Sequence, residues 1–318
     1  MTDHNETTKR LPVMRPAAPD ARDRSGPRVR IEAAGLSHPG NVREVNEDSF
    51  LVARVGRSID TLVTSLPEDE VSGRFDESGY VMIVADGMGG AAAGEVASRL
   101  AIRTLVEIVL DVPNWIMKVD DEAADEAADE VLRRAAEYYH RVDAVLGQHA
   151  KADPALDGMG TTMTLLYGVG PDAFVAHVGD SRAYLLRRGR LQQLTRDHTH
   201  VQRLVDAGTI TREEAATHGL RHVLTNVLGG ADRTVDVDLE RFALADGDRL
   251  LLCSDGLTEV VRDAEIAEVW GRVVDPAEAC RALIELALER GAPDNVTVLA
   301  ARVAFDPAAP PADPAAVP

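Results

Sequence analysis

The hydrophobic pattern divides the chain into short apolar runs and a few longer stripes. Residues 49–55 read as a strand, and residues 80–85 (YVMIVA) form a continuous apolar run that enters a glycine-rich turn. Residues 56–79 between them read as an inserted loop. Over residues 94–110, Leu100, Ile102, Leu105, Val106, Ile108 and Val109 spread apolar surface round too much of the circumference for a surface helix, so this helix is expected between layers. A second helix carries one stripe, Leu132, Ala135, Ala136, Tyr139, Val142 and Leu146, at three- and four-residue spacing. Its acidic prelude, residues 120–130, sets the like charges Asp125 and Asp129 four apart and reads as a solvated face, not a metal site.

Beyond that helix, residues 161–168, 173–179, 183–188 and 191–195 are short β-rich runs broken by Gly-Pro and Arg-Gly turns, as in an antiparallel meander. Residues 197–230 are more polar and partly helical, which makes them a candidate mobile flap. Residues 235–242 then alternate apolar and polar positions, and Asp246-Gly247-Asp248 turns into the apolar run 249–253. A helix over 276–290 stops at Gly291 with Pro293 just beyond, and residues 296–303 supply a last strand.

The two ends differ from this pattern. Residues 1–29 hold Pro12, Pro16, Pro19 and Pro27 among charged and hydroxyl residues and read as a disordered arm, while residues 306–318 are nearly all Ala, Pro and Asp. One folded region over 30–305 is left.

Composition narrows the partners. A net charge of −19 sets the chain against phosphate backbones and anionic membrane surfaces, so neither nucleic acid nor a membrane is an expected partner. No stretch approaches the ~20 consecutive apolar residues of a membrane span, and the first residues lack the basic-then-apolar pattern of a signal peptide. Cys253 and Cys280 have no C-x-x-C spacing, and Cys253 sits in an apolar run, which fits a reducing cytoplasm. The acidity suits carboxylates gathered around hard cations, and equally a solvated acidic surface.

Candidate chemistry begins with acidic residues at strand ends: Asp86 after VMIVA, Asp255 after RLLLCS and Asp294 before NVTVLA. Hard divalent cations prefer oxygen ligands, and a two-metal site needs carboxylates converging from separate segments. Asp86-Gly87 and Asp255-Gly256 could also be ordinary hairpin turns. Both, however, lead into helical sequence and not into a returning strand. A third reading takes Gly87-Met88-Gly89-Gly90-Ala91-Ala92 as a dinucleotide loop. The acidic position that fingerprint requires falls at Glu107, inside a helix.

Together the segments Arg43-Glu44-Val45-Asn46-Glu47-Asp48, Ala85-Asp86-Gly87-Met88-Gly89-Gly90, Gly158-Met159-Gly160-Thr161-Thr162, Gly179-Asp180-Ser181-Arg182, Ser254-Asp255-Gly256-Leu257 and Asp294-Asn295 resemble the metal-dependent protein phosphatase family, type 2C, in the family's own order. The resemblance implies an α+β fold, a four-layer α-β-β-α sandwich of two antiparallel sheets flanked by helices, with the site at one end between the sheets. It implies two Mg²⁺ or Mn²⁺ ions, Asp86 bridging them, the Gly87 carbonyl on one, Asp255 and Asp294 on the other, and Glu47 and Asp48 reaching them through water. It implies Arg43 as the phosphate-binding arginine, a role that suits a guanidinium fork better than a lysine. A weaker third ion would use Asp157 with Asp255 and Glu259, where the family's usual residue is Asp. Met88 stands where eukaryotic relatives place a histidine as general acid, and a thioether donates no proton. His198, His200, His218 and His222 of the flap are candidates for that task, against a purely structural role. Thr161, Thr162 and the Gly179–Arg182 turn read as scaffold.

The function so implied is a cytoplasmic, monomeric serine/threonine protein phosphatase, with phosphorylated substrates of protein kinases as partners. The alternatives are a phosphatase dedicated to one anti-sigma-factor antagonist and a silent phosphoprotein-binding module of the same fold. The silent module would be expected to lose metal carboxylates, and Asp86, Asp255 and Asp294 are all retained.

Overall fold

A computed structural model describes residues 29–67, 74–89, 93–111, 124–230 and 234–305. In chain order it has β1 (Val29–His38), β2 (Asp48–Asp60), β3 (Arg74–Met88), α1 (Ala93–Asp111), α2 (Ala124–Ala152), β4 (Gly160–Thr161), β5 (Met163–Val169), β6 (Asp172–Val178), β7 (Arg182–Arg187) and β8 (Arg190–Gln193). There follow α3 (His200–Asp206), α4 (Arg212–Ala216), β9 (Asp238–Ala243), β10 (Arg249–Cys253), α5 (Asp255–Thr258), α6 (Asp263–Arg272), α7 (Pro276–Glu289) and β11 (Val296–Phe305). The expectations for the arm and the tail lie outside the described residues, except that Val29 already belongs to β1.

Two antiparallel sheets form the middle of the molecule, one ordered β1-β11-β10-β7-β8 and the other β2-β3-β5-β6-β9, with β4 added to β3. Side chains of both sheets interdigitate between them: Met82, Val84, Leu166 and Val175 from one, Leu250, Leu252, Leu299 and Ala301 from the other. The alternate residues of the same strands point outward. Ile83, Ala85 and Ala176 pack against α1 and α2, while Leu251, Cys253 and Val298 pack against α6 and α7. This is the four-layer α-β-β-α sandwich. It explains why the run over 80–85 is continuously apolar, since helices cover the face that an antiparallel sheet often leaves to water.

Two expectations are corrected. Residues 56–79 are in large part paired strand, with β2 and β3 in register from Asp48↔Asp86 out to Asp60↔Arg74. In sequence these rungs mix Gly56, Arg57, Ser58, Asp60, Arg74 and Asp76 with few apolar residues, so no alternating pattern marks them as strand. Helix α1 is an outer-layer helix and not an interior one. It buries Ala97, Leu100, Ala101 and Leu105 against the sheet and α2, and leaves Arg99, Arg103, Val96 and Leu110 exposed. In α2, Asp125 and Asp129 are exposed as expected, and Asp125 meets Arg241 at 2.9 Å. No helix among the described residues is long and apolar enough to cross a membrane.

Buried polar groups tie the flap to the sheets. Arg182 holds Asp197 bidentately at 2.9 and 2.6 Å. His177 in β6 is fully buried, with Nδ1 2.8 Å from the Thr164 hydroxyl and Nε2 3.1 Å from the Arg196 carbonyl. A carbonyl only accepts, so Nε2 carries the proton and Thr164 donates to Nδ1. Burial, and then the neighbouring His198, hold this imidazole down at about 4.

The folded His177 therefore resists a proton that the unfolded chain takes up near pH 6.5, and its contribution to stability is lost as pH falls from there towards 4. Between pH 7 and pH 5 the loss is about 2 kcal/mol. Urea unfolding of the wild type and His177→Gln at both pH values checks this. The variant is expected to lose stability less steeply with acid, and equal slopes would refute the assignment.

Candidate active site

The strand ends bring the sequence candidates to one end of the sandwich. Asp48 opens β2, Asp86 lies opposite it near the end of β3, Asp255 follows β10 and Asp294 precedes β11. Neither Asp-Gly pair is a hairpin, because Gly87 continues β3 to pair with Thr161 of β4, and Asp255-Gly256 opens α5. These glycines serve close approach. A Cβ on Gly87 would lie 2.0 Å from the Gly94 carbonyl oxygen, and one on Gly256 would lie 2.0 Å from that of Asn295. The dinucleotide reading fails on topology, since β3 leads into an antiparallel sheet and not a βαβ crossover.

Backbone and hydroxyl groups hold each carboxylate in place. The Asp86 amide donates to the Thr162 hydroxyl at 3.0 Å, and its carbonyl accepts from the Thr161 hydroxyl at 2.8 Å and the Thr162 amide at 2.9 Å. These threonines are thus the scaffold their small β-forming side chains suggested. Asp48 accepts through Oδ2 from Ser254 and Thr297, both at 2.7 Å, while its buried Oδ1 has no hydrogen-bond partner. Glu47 packs its carboxyl on Gly94, and its carbonyl accepts from Ser98 at 2.6 Å.

Electrostatically this end of the molecule is overloaded. Burial raises the Asp48 carboxyl to about 7 and Asp255 to about 6. Burial, followed by the charges of Asp48, Asp255, Asp180 and Asp294, pushes Asp86 well up. Like charges so close favour either proton uptake or a neutralising cation.

A divalent metal fits this donor set. The donors are hard oxygens from separate rigid segments, and the orphaned Asp48 Oδ1 is an acceptor with nothing else to bind. Among the described residues no three such ligands stand preformed as a cage. Asp294 is instead turned to Arg43, whose guanidinium donates to its Oδ2 at 2.7 Å. Asp86, the Gly87 carbonyl, Asp255 and Asp294 could hold cations directly, with Glu47 and Asp48 behind them.

The third-site candidates separate. Asp157 is exposed at the end of a 3-10 turn, Pro154–Leu156. Asp180, passed over as turn scaffold, is buried after β6, and burial followed by the charges of Asp255 and Asp197 raises its carboxyl strongly. Its signal was present, because it ends the apolar run FVAHVG as Asp86 ends VMIVA. Glu259 closes α5 and faces the flap residues Arg221 and His222, each at 3.2 Å. Met88 is exposed beside the site. His198 is structural: Nδ1 accepts from the Gly179 amide at 3.1 Å, and Nε2 lies 3.1 Å from Asp238. His218 accepts from the Leu220 amide at 3.1 Å within the flap.

The loop over 39–47, which carries Arg43, is fixed by Asn295. Its amide donates to the Pro39 and Val45 carbonyls, each at 3.0 Å, and its oxygen accepts from the Glu47 amide at 2.8 Å. Asn295→Ala leaves three part-buried backbone groups unpaired and is expected to cost about 2–3 kcal/mol in urea unfolding. Asn41→Ala, which removes an exposed bond to the Leu288 carbonyl, is expected to cost less than about 1 kcal/mol. Equal costs for the two variants would contradict this account of the loop.

Comparison with known proteins agrees with this geometry. Residues 64–289 match the model of the family described as protein phosphatase 2C. Serine/threonine protein phosphatase PstP of Mycobacterium tuberculosis is 42% identical over 223 residues, 70% of this chain and 40% of that protein. The chain therefore aligns with less than half the length of PstP. Serine/threonine phosphatase stp of Listeria innocua is 36% identical over 228 residues, 69% of this chain and 82% of that one. The solved catalytic domain of PstP in complex with two manganese ions superposes with a TM-score of 0.67 at 36% identity, covering 87% of this chain and 100% of that one. With the sandwich, the converging carboxylates and the ordered motifs all in agreement, the chain belongs to the protein phosphatase 2C family.

Proposed function

We propose that the chain is a metal-dependent serine/threonine protein phosphatase that hydrolyses phosphoserine and phosphothreonine in proteins. The observation that carries this reading is the convergence of Asp48, Asp86, Asp255 and Asp294 at one end of the sandwich, beside the exposed guanidinium of Arg43. Asp86, the Gly87 carbonyl, Asp255 and Asp294 hold two Mg²⁺ or Mn²⁺ ions. When bound, these supply an activated water and stabilise charge on the transferring phosphoryl oxygens. Arg43 receives the phosphate: its fork can bind two oxygens at once, and its bond to Asp294 holds it next to the carboxylate cluster. Asn295, Thr162, Ser254 and Thr297 keep these groups from drifting, which matters because loss of position costs rate steeply.

A cytoplasmic setting fits the two buried free thiols, Cys253 and Cys280. The expected partners are phosphoproteins made by serine/threonine kinases, and the working unit is a monomer. A silent binding module is disfavoured because no core carboxylate has been replaced. A panel of phosphoproteins would separate a broad enzyme from one dedicated to an anti-sigma-factor antagonist.

Turnover of a phosphothreonine peptide is expected with Mn²⁺ or Mg²⁺ and not with EDTA. Asp86→Asn and Asp255→Asn are each expected to lower it at least about a hundredfold, since each removes a ligand charge at nearly constant shape. A folded wild-type chain that is inactive with every metal would replace this reading with the binding module.

Arg43→Ala is expected to raise KM for the peptide about tenfold to a hundredfold, with Arg43→Lys intermediate because a point charge replaces the fork. Unchanged KM in both variants would remove Arg43 from phosphate binding.

A further inference from the structure

The two arms of the flap pair with each other at its base: Thr199 and Leu224 form an isolated bridge, the His200 amide donates to the Val223 carbonyl, and the Thr225 amide donates to the His198 carbonyl, the last two both at 2.8 Å. The base is joined to the sheets by the His198 amide, which donates to the Gly179 carbonyl at 2.7 Å, and by the Thr161–Leu228 bridge. Its outer part, residues 207–222, is mostly exposed and holds the short helix α4, closed on itself by a capping box between Thr211 and Glu214. Among the described residues, the polar contacts that join this outer part to the sandwich end on one side chain. Arg221 NH2 and His222 Nε2 each lie 3.2 Å from Oε1 of Glu259.

Glu259 is well placed to transmit what the flap does. It terminates α5, the helix that Asp255 begins, and its amide donates to the Asp255 carbonyl at 2.8 Å. Its carboxylate is largely buried, at 18% exposure, beneath two flap residues that are each 40% or more exposed. An ion pair shielded on one side keeps more of its strength than a fully solvated one. The extra methylene that distinguishes Glu259 from an aspartate lets the carboxylate reach outward while its backbone stays at the cleft.

We propose that Glu259 is the acceptor of a flap clamp: Arg221 and His222 dock on it and thereby position residues 207–222 along the cleft, which sets how a phosphorylated peptide, as opposed to a small phosphate ester, is received. Glu259 is on this view a positioning residue that discriminates substrates by size. The substrate half of the proposal rests on the phosphatase reading above, and the clamp itself does not.

The test measures amide exchange across residues 209–224 in the wild type, Arg221→Ala, Glu259→Ala and the double variant. Alongside it, KM and kcat are measured on a phosphothreonine peptide and on p-nitrophenyl phosphate over a Mn²⁺ series. Each single variant is expected to speed exchange about threefold, the double variant to match Glu259→Ala, and Arg221→Lys to restore protection. Arg221→Ala is expected to raise KM for the peptide more than for p-nitrophenyl phosphate, at an unchanged Mn²⁺ midpoint. Unaltered exchange in both single variants, or additive effects in the double, overturns the clamp. So does a shifted Mn²⁺ midpoint in Glu259→Ala with unaltered exchange, which would assign the carboxylate to the ions. Exchange needs no turnover, so a chain inactive on every substrate would refute the phosphatase reading while the clamp is still tested.

Discussion

Mutual repulsion among carboxylates buried at one end of the sandwich is the constraint to which the surrounding structure answers. Burial first, and then the charges of neighbouring acids, raise the proton affinity of Asp48, Asp86, Asp180 and Asp255. Burying even one uncompensated carboxylate opposes folding. Such a cluster belongs in a folded protein only where cations are meant to enter. The two apolar layers of the sandwich supply the stability that tolerates it, and the strand ends supply the rigidity that keeps the charges from spreading apart.

The supports of the cluster divide into hydroxyls and close backbone contacts. Thr162, Ser254 and Thr297 offer small polar groups that bind a carboxylate or its own backbone without adding charge. A basic residue in their place would neutralise the site and leave cations no reason to bind. Gly87 and Gly256 act sterically, because each lies where a methyl group would strike the backbone of a neighbouring segment. Cation-binding geometry is thus set by groups that bear no charge, while the positive groups, Arg43 and Arg221, remain at the rim.

Much of this was legible in the sequence where burial leaves a mark. The runs ending in Asp86 and Asp255 are apolar because both faces of their strands are covered, and helix α7 carried its own stop signals in Gly291 and Pro293. The outer rungs of the β2–β3 ladder were hidden because polar and small residues there break the alternation that marks a strand. Asp180 ends an apolar run as Asp86 does, but Gly-Asp-Ser is also ordinary turn chemistry, and the fold decides between the two readings by burying the acid. Asp157, which the family resemblance assigns to a third ion, lies exposed at the end of the turn that follows α2. Asn295 stands in a motif segment, but nothing in its sequence position indicates that its side chain ties three backbone groups of the Arg43 loop.

What the motifs leave open is selectivity, and on the phosphatase reading proposed above the physical reason is that the ions and the Arg43 guanidinium would contact only the phosphoryl group. Such contacts are common to all phosphoproteins, so discrimination among them would come from surfaces further out. The flap is such a surface: its two arms pair at the base, and Arg221 and His222, next to that pairing, meet Glu259. On the clamp proposed above, specificity is adjusted through Glu259 and the residues facing it without altering the groups that would hold the ions.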